Sequence, residues 1–260
     1  MTSSSSSAGT EKRNWKRTLG SAAVATAVAE VITLPACTTK TWMQVHDFKQ
    51  PSKAFKDLWA KGGLRALFSA KWIAIGGQVW STSSKWAAYQ ELQQRTNNND
   101  NRLWLSMANS LVSGHLVSLT THPIDVIRTH RQLQTKMADI LRTQWLYKGY
   151  TKTLSKTTVG SLLFFPLNDW VKKHLVVVLP QTSWQRRAQP WIAGAISATL
   201  ATLVMHPLDY IKTRDMSHKP WRHGWSVLPY YRGLSLNLLR IVPHFTIVMG
   251  ITDVLSHMHR

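Results

Sequence analysis

Acidic residues are scarce in this 260-residue chain. Twelve Asp plus Glu stand against thirty-two Lys plus Arg, a formal net charge of +20 at pH 7. Such a chain has anions for partners: nucleic acid, acidic lipid or an anionic metabolite. Cysteine is nearly absent as well, and the single Cys37 excludes an intramolecular disulfide framework and a cysteine-based zinc site. There is no Gly-rich phosphate loop, no metal-spaced histidine set, and no Ser, His and Asp that would be brought together, so no enzyme signature is present and no metal is expected. What the chain does have excludes a disordered basic tail, because 44% of it is hydrophobic and 13 residues are Trp. Length alone fits one large domain or two small ones.

Long charged-residue-free runs come next. Mean hydropathy is −0.18, yet the charges are spread unevenly. Residues 103–124 and 188–208, 22 and 21 residues long, contain no Asp, Glu, Lys or Arg. About 20 helical residues span a hydrocarbon core, so each run is expected to cross a membrane; the competing reading is a pair of buried helices in a soluble protein. Residues 1–16 are Ser-rich and basic with no apolar core, a flexible arm rather than a secretory signal peptide. Glu11 and the lack of an amphipathic basic helix speak against a mitochondrial presequence.

Residue types then recur in one order at a fixed offset of 84. His122, Pro123, Asp125 and Arg128 return as His206, Pro207, Asp209 and Lys212. Tyr147, Lys148 and Gly149 return as Tyr231, Arg232 and Gly233, and Asp169 returns as Asp253. An earlier copy starts at Pro35, Cys37 and Lys40, 88 residues before Pro123, and continues at Phe68 and Tyr89. Three repeats follow: residues 17–94, 102–176 and 187–258. Each runs from an apolar segment through a PxDxx(K/R) turn, a polar amphipathic stretch and an aromatic-basic-Gly turn to a second apolar segment, which makes six helices. The second segments are more polar, as expected if one face lines water, and a polar cavity is implied. Proline inside a helix frees a carbonyl and kinks the axis, so three prolines at matching depth draw the first helices of the repeats together at one end. That end is a gate.

These residues resemble the mitochondrial carrier (solute carrier 25) family from about Arg17 onward. The motif is complete as Pro123, Asp125, Arg128 and as Pro207, Asp209, Lys212, and the glutamine that follows it in the family is present as Gln44 and Gln132. The resemblance implies an all-α membrane protein, six transmembrane helices in three pseudo-symmetric pairs around a central cavity. It also implies termini on the cytoplasmic side, in the intermembrane space of a mitochondrion, three short matrix helices, and cardiolipin bound near Tyr147-Lys148-Gly149 and Tyr231-Arg232-Gly233. No cofactor is implied, and the chain is expected to be monomeric. Cys37 stands where an acid is expected, Ser69 and Ala70 replace the basic-Gly pair after Phe68, and Met216 replaces the third glutamine. Tyr147 and Tyr231 each follow their proline by 24 residues, against 33 from Pro35 to Phe68, so the second and third matrix helices are expected to be reduced.

In the family the acid of each motif pairs with the base of the next first helix, closing the cavity towards the matrix. Here Asp125 is expected to pair with Lys212 and Asp209 with Lys40, whereas Arg128 faces Cys37, a weak partner. At the cytoplasmic ends of the second helices the family motif falls on Gln90 with Gln93, Asp169 with Lys172, and Asp253 with Ser256. By ring order Gln90 meets Lys172, Asp169 meets Ser256 and Asp253 meets Gln93, with Glu91 able to stand in for Gln90. No pair there is fully ionic. A resting state open to the cytoplasm follows.

Three mid-membrane contact points, thirteen residues before the second-helix gate positions, are implied at Gly77, Lys156 and Arg240, with Lys85 and His244 as further cavity residues. Two cations facing a water-filled cavity await an anion or an internal acid. Glu30, five residues before Pro35, has two readings: an acid tied to proton movement, as in the uncoupling-protein and dicarboxylate-carrier branch that residues 29–35 resemble, or a neutraliser of Lys156 or Arg240. Gly77 departs from that branch, which has arginine there. The functions this leaves are a carrier exchanging a di- or ketocarboxylate, a carrier of nucleotides or other phosphorylated metabolites, and a degenerate carrier fold without transport. A soluble nucleic-acid binder has only the +20 charge in its favour.

Overall fold

The computed structural model describes residues 4–96, 103–142, 146–178, 183–220 and 226–244. All regular structure among them is helical: α1 (Ser4–Val45), α2 (Pro51–Leu67), α3 (Lys71–Arg95), α4 (Leu103–Gln132), α5 (Met137–Arg142), α6 (Tyr150–Val178), α7 (Ser183–Met216), a 3-10 turn at Leu228–Tyr231, and α8 (residues 234–244). Neighbours follow chain order: α1 packs on α3, α3 on α4, α4 on α6 and α6 on α7. The long helices α1, α4 and α7 also touch one another pairwise, which closes the arrangement. Pro35 and Pro123 lie inside α1 and α4, and Pro207 falls within α7.

The helices are turned inside out relative to a water-soluble bundle. On α4, Asn109, Ser113, Ser118, Thr121 and His122 are buried, while Val112, Leu116 and Leu119 are about half exposed at 46%, 54% and 47%. The spacing i, i+4, i+7 puts those three on one outer stripe. Helix α7 repeats the pattern, with Ser197, Thr202 and His206 inside and Ile196, Leu200 and Val204 outside, and α1 does so with Thr26, Glu30 and Thr33 against Val24, Val28, Val31 and Ile32. An exterior this apolar around a polar interior suits hydrocarbon on the outside.

This changes the reading of the two charge-free runs. Both are helical, but among the described residues no helix holds an 18-residue stretch apolar enough to cross a membrane by hydropathy. The reason is the inner faces: the Ser, Thr, Asn and His residues that line the interior cancel the Val and Leu of the outer stripe in any average along the chain.

The connections between the long helices are unequal, as their spacing predicts. Helix α2 has 17 residues, broken at Gly62 and at Gly63, whose φ is 54°. It packs Ala54, Leu58, Ala66 and Leu67 onto Trp42 and Met43 at the end of α1. Its counterpart α5 has six residues, and the only regular element among the described residues of the third connection is the 3-10 turn. The chain re-enters the bundle at Gly149 and Gly233, whose φ values of 76° and 83° lie in the left-handed region that glycine adopts without strain.

Candidate functional site

A cavity of about 660 Å³ lies between the helices. Six cations line it: Lys40, Lys85, Arg128, Lys156, Lys212 and Arg240, with Gly77, Asp125 and Asp209 also on its wall. Much of the remaining surface is hydroxyl, including Ser81, Ser110, Ser113, Thr121 and Thr157. Three acids, Glu30, Asp125 and Asp209, hold five of these cations. Lys212 Nζ donates to Asp125 Oδ2 at 2.7 Å. Asp209 takes two lysines, Lys40 and Lys156, and Lys40 also donates to Asn237 Oδ1 at 3.0 Å. Two of these contacts are the Asp125 to Lys212 and Asp209 to Lys40 pairs anticipated from the motif.

One expectation at this gate needs correcting. Arg128 does not depend on a weak partner: it is ion-paired with Glu30, which is fully buried, while its Nη2 also lies 3.3 Å from Cys37 Sγ. Glu30 sits seven residues before Cys37, two helical turns, so the same face of α1 supplies a carboxylate at a different height. Of the two partners open to Lys156, an anion or an internal acid, the structure supplies the acid, Asp209. Glu30 does neutralise Arg240, whose Nη2 is 3.5 Å from Oε2. Around that pair, Glu30 Oε2, Arg240 Nε and His244 Nδ1 are buried without a hydrogen-bond partner. Gly77 has a packing role that its alignment did not predict: a Cβ there would lie 2.6 Å from Ile124 Cγ2, so glycine is what lets α3 approach α4.

The glutamines brace the same end. Thr41 Oγ1 donates to Gln132 Oε1 at 2.8 Å, and Gln132 Nε2 reaches Cys37 Sγ at 3.5 Å. Gln44 Nε2 donates to the Arg232 carbonyl at 3.2 Å. Met216, at the third position, receives the Thr129 hydroxyl on Sδ at 3.9 Å, repeating the Thr41 to Gln132 contact with a weaker acceptor.

Two histidines had a place in the repeat but no assigned part. His122 Nε2 donates to the Lys148 carbonyl at 3.0 Å, and the Thr153 hydroxyl donates to Nδ1 at 2.9 Å. His206 Nε2 donates to the Arg232 carbonyl at 3.1 Å, and Asn237 Nδ2 approaches Nδ1 at 3.3 Å. Each ring also stacks on the tyrosine of its turn, His122 on Tyr147 and His206 on Tyr231, both at 6.1 Å between centroids. Every partner recurs at the 84-residue offset, which was the signal available in the sequence.

The basic residues of these turns have protein partners. Arg232 and Arg214 both bind Asp47 Oδ1, at 2.5 and 2.6 Å, and Arg214 also caps the Gln44 carbonyl, tying the end of α1 to α7. Lys148 Nζ lies 2.6 Å from His218 Nδ1. Partial burial and that ammonium push the His218 imidazole below its usual value.

At the opposite end, Gln93 Nε2 donates to the Tyr89 hydroxyl of its own helix at 3.1 Å. Glu91 turns outward and pairs with Arg95, so it does not replace Gln90. The side chains of Asp169 and Lys172, and Asp253 and Ser256 altogether, lie outside the described residues.

Helices with apolar outer stripes and polar inner faces around a cavity lined by paired cations define a class: membrane transport proteins built around an internal solute site. Residues 11–100 match the mitochondrial carrier protein family. A mitochondrial carrier-like protein, L276, of Acanthamoeba polyphaga mimivirus is 36% identical over 237 residues, which cover 90% of this chain and 93% of that one. The calcium-binding mitochondrial carrier protein SCaMC-2-A of Danio rerio is 25% identical over 272 residues, 90% of this chain but 57% of its own. Solute carrier family 25 member 36 of Gallus gallus is 22% identical over 246 residues, covering 80% and 78%. The chain belongs to the mitochondrial carrier family.

Proposed function

We propose that this protein exchanges a small organic anion across the mitochondrial inner membrane by alternating access to its central cavity. The observation that carries the reading is the cation-lined cavity inside helices whose outer faces are apolar. In this reading the repeats 17–94, 102–176 and 187–258 each supply two transmembrane helices, with both termini towards the intermembrane space. Lys156 and Arg240 are the primary anion contacts, with Lys85, Gly77, Glu30 and His244 around them. The pairs Asp125–Lys212, Asp209–Lys40 and Glu30–Arg128 form the matrix gate with Pro35, Cys37, Pro123 and Pro207, and open as the cavity turns inward. The weakly polar set Gln90, Gln93, Asp169, Lys172, Asp253 and Ser256 forms the opposite gate. Cardiolipin, or another acidic lipid, docks at the Tyr147 and Tyr231 turns of a monomeric carrier.

A di- or ketocarboxylate suits two contact cations, each worth about 1.5–3 kcal/mol as a charge-assisted hydrogen bond. Binding draws Lys156 from Asp209 and Arg240 from Glu30, so substrate arrival weakens the contacts that hold the closed end together. Glu30, ion-paired with Arg128 and 3.5 Å from the Arg240 guanidinium, serves first as a neutraliser of those two cations. The test is uptake of labelled glutarate by liposomes carrying the purified protein. Lys156→Ala and Arg240→Ala should each lose most exchange while still folding; normal uptake by both variants would remove the binding site from this proposal.

A further inference from the structure

The charges on the cavity wall do not balance, and the imbalance has a pattern. Against the six lining cations stand three acids, Glu30, Asp125 and Asp209, a surplus of three positive charges among the described residues. One cation of each set comes from a first helix: Lys40 on α1, Arg128 on α4 and Lys212 on α7. These match the three acids one to one. The surplus is Lys85 on α3, Lys156 on α6 and Arg240 on α8, one from each remaining long element of the ring. Lys156 shares Asp209 with Lys40, and Arg240 shares Glu30 with Arg128. Lys85 has no carboxylate in ion-pair contact among the described residues. The acid that attracts it is Asp125, already bonded to Lys212, and Lys212 and Lys156 repel it.

The surplus of three positive charges repels itself across the cavity, and a ligand that brings three negative charges removes that repulsion. The wall also says what shape that ligand has. Hydroxyls such as Ser81, Ser110 and Thr157 suit carboxylate or phosphate oxygens, whereas Tyr89 is the one aromatic ring on the wall among the described residues, leaving a nucleobase little to stack on. We infer that the preferred cargo is a compact organic trianion, a tricarboxylate or a phosphorylated carboxylate, bound by Lys85, Lys156 and Arg240 together. This rests on the transport reading above and sharpens its substrate class from two charges to three. Once such an anion is seated, each gate acid keeps one cation, and the sharing at Asp209 and Glu30 ends.

The experiment compares butyrate, glutarate, tricarballylate and phosphoglycerate as exchange partners in liposomes containing the full chain, at slightly alkaline pH where their acid groups are ionised. The affinity should rise with each added charge, with tricarballylate or phosphoglycerate at least about tenfold better than glutarate; whichever of those two is better tells carboxylate from phosphate. Lys85→Gln should cut the preference for three charges over two by about tenfold. Glutarate matching or exceeding both trianions, or a preference unchanged in Lys85→Gln, overturns the inference and leaves anion transport standing. Thermal unfolding of the detergent-solubilised protein with the same four anions is the second readout. Stabilisation graded by charge without exchange supports the trianion site and removes transport, and neither exchange nor graded stabilisation overturns both.

Discussion

The guanidinium of Arg128 passes Cys37 and pairs with Glu30, two turns back along α1. The acid missing from the first motif has therefore been replaced from a different height of the same helix. That replacement leaves Arg128 and Arg240 dependent on one fully buried carboxylate.

Glu30→Gln should therefore destabilise the fold by about 3–5 kcal/mol, the scale for removing one partner of a buried ion pair. Adding Cys37→Asp to that variant puts a carboxylate beside Arg128 Nη2, which lies 3.3 Å from the present sulfur. The double variant should recover a substantial part of the loss in thermal unfolding, and no recovery would mean that Arg128 does not need an acid on this face.

Asp209 and Asp125 occupy equivalent places in the repeat but carry unequal loads. Asp209 is 14% exposed and holds two lysines, whereas Asp125 is 40% exposed and holds one. Asp209→Asn should cost several kcal/mol, about 3–5, and Asp125→Asn about 1 kcal/mol or less, because water reaches the Asp125 pair. Thermal melts of the two variants side by side check the order; equal losses would contradict it.

His122 and His206 hold the turns that return the chain to the bundle. Replacing His122 by Ala removes its bond to the Lys148 carbonyl and should cost about 1–3 kcal/mol; replacing His206 should cost less, because the Arg232 carbonyl keeps the Gln44 amide as a donor. The effect belongs to stability, so anion exchange per folded molecule should persist while the melting temperature falls. A variant with an unchanged melt and lost exchange would place the ring in the transport path instead.

Gly77→Ala should destabilise by about 1–3 kcal/mol, since the new methyl meets Ile124 Cγ2 at 2.6 Å. Shortening the neighbour, with Ile124→Ala in the same chain, should relieve the clash. The same overlap predicts that Gly77→Arg, which restores the basic contact point of the resembling branch, fails to fold well unless Ile124 is shortened too.

The repeat was legible in the sequence because the same backbone contact needs the same residue each time. His122 and His206 donate to the carbonyls of Lys148 and Arg232, Gly149 and Gly233 take left-handed φ, and all of these pairs lie 84 residues apart. The shortness of α5 followed from spacing in the same way. Hydropathy was less informative, because a helix that is polar on one side and apolar on the other averages to neither. Residues 103–124 and 188–208 showed only that charge was absent, and the buried Ser113 and exposed Leu116 on successive faces explain why no apolar span registers.

Composition and order thus determined by themselves that the chain is a helical repeat protein with excess positive charge and three acids at or near its prolines. The Asp125–Lys212 and Asp209–Lys40 pairs were anticipated from the repeated motif, whereas the remaining partners were decided by the tertiary structure. Charge attraction falls with distance and with water between the partners, and the separations among α1, α4, α6, α7 and α8 are written nowhere in the chain. Packing alone set Glu30 at the height of Arg128 and Arg240, gave Asp209 Lys156 as well as Lys40, and left Lys85 with none of the three acids in contact.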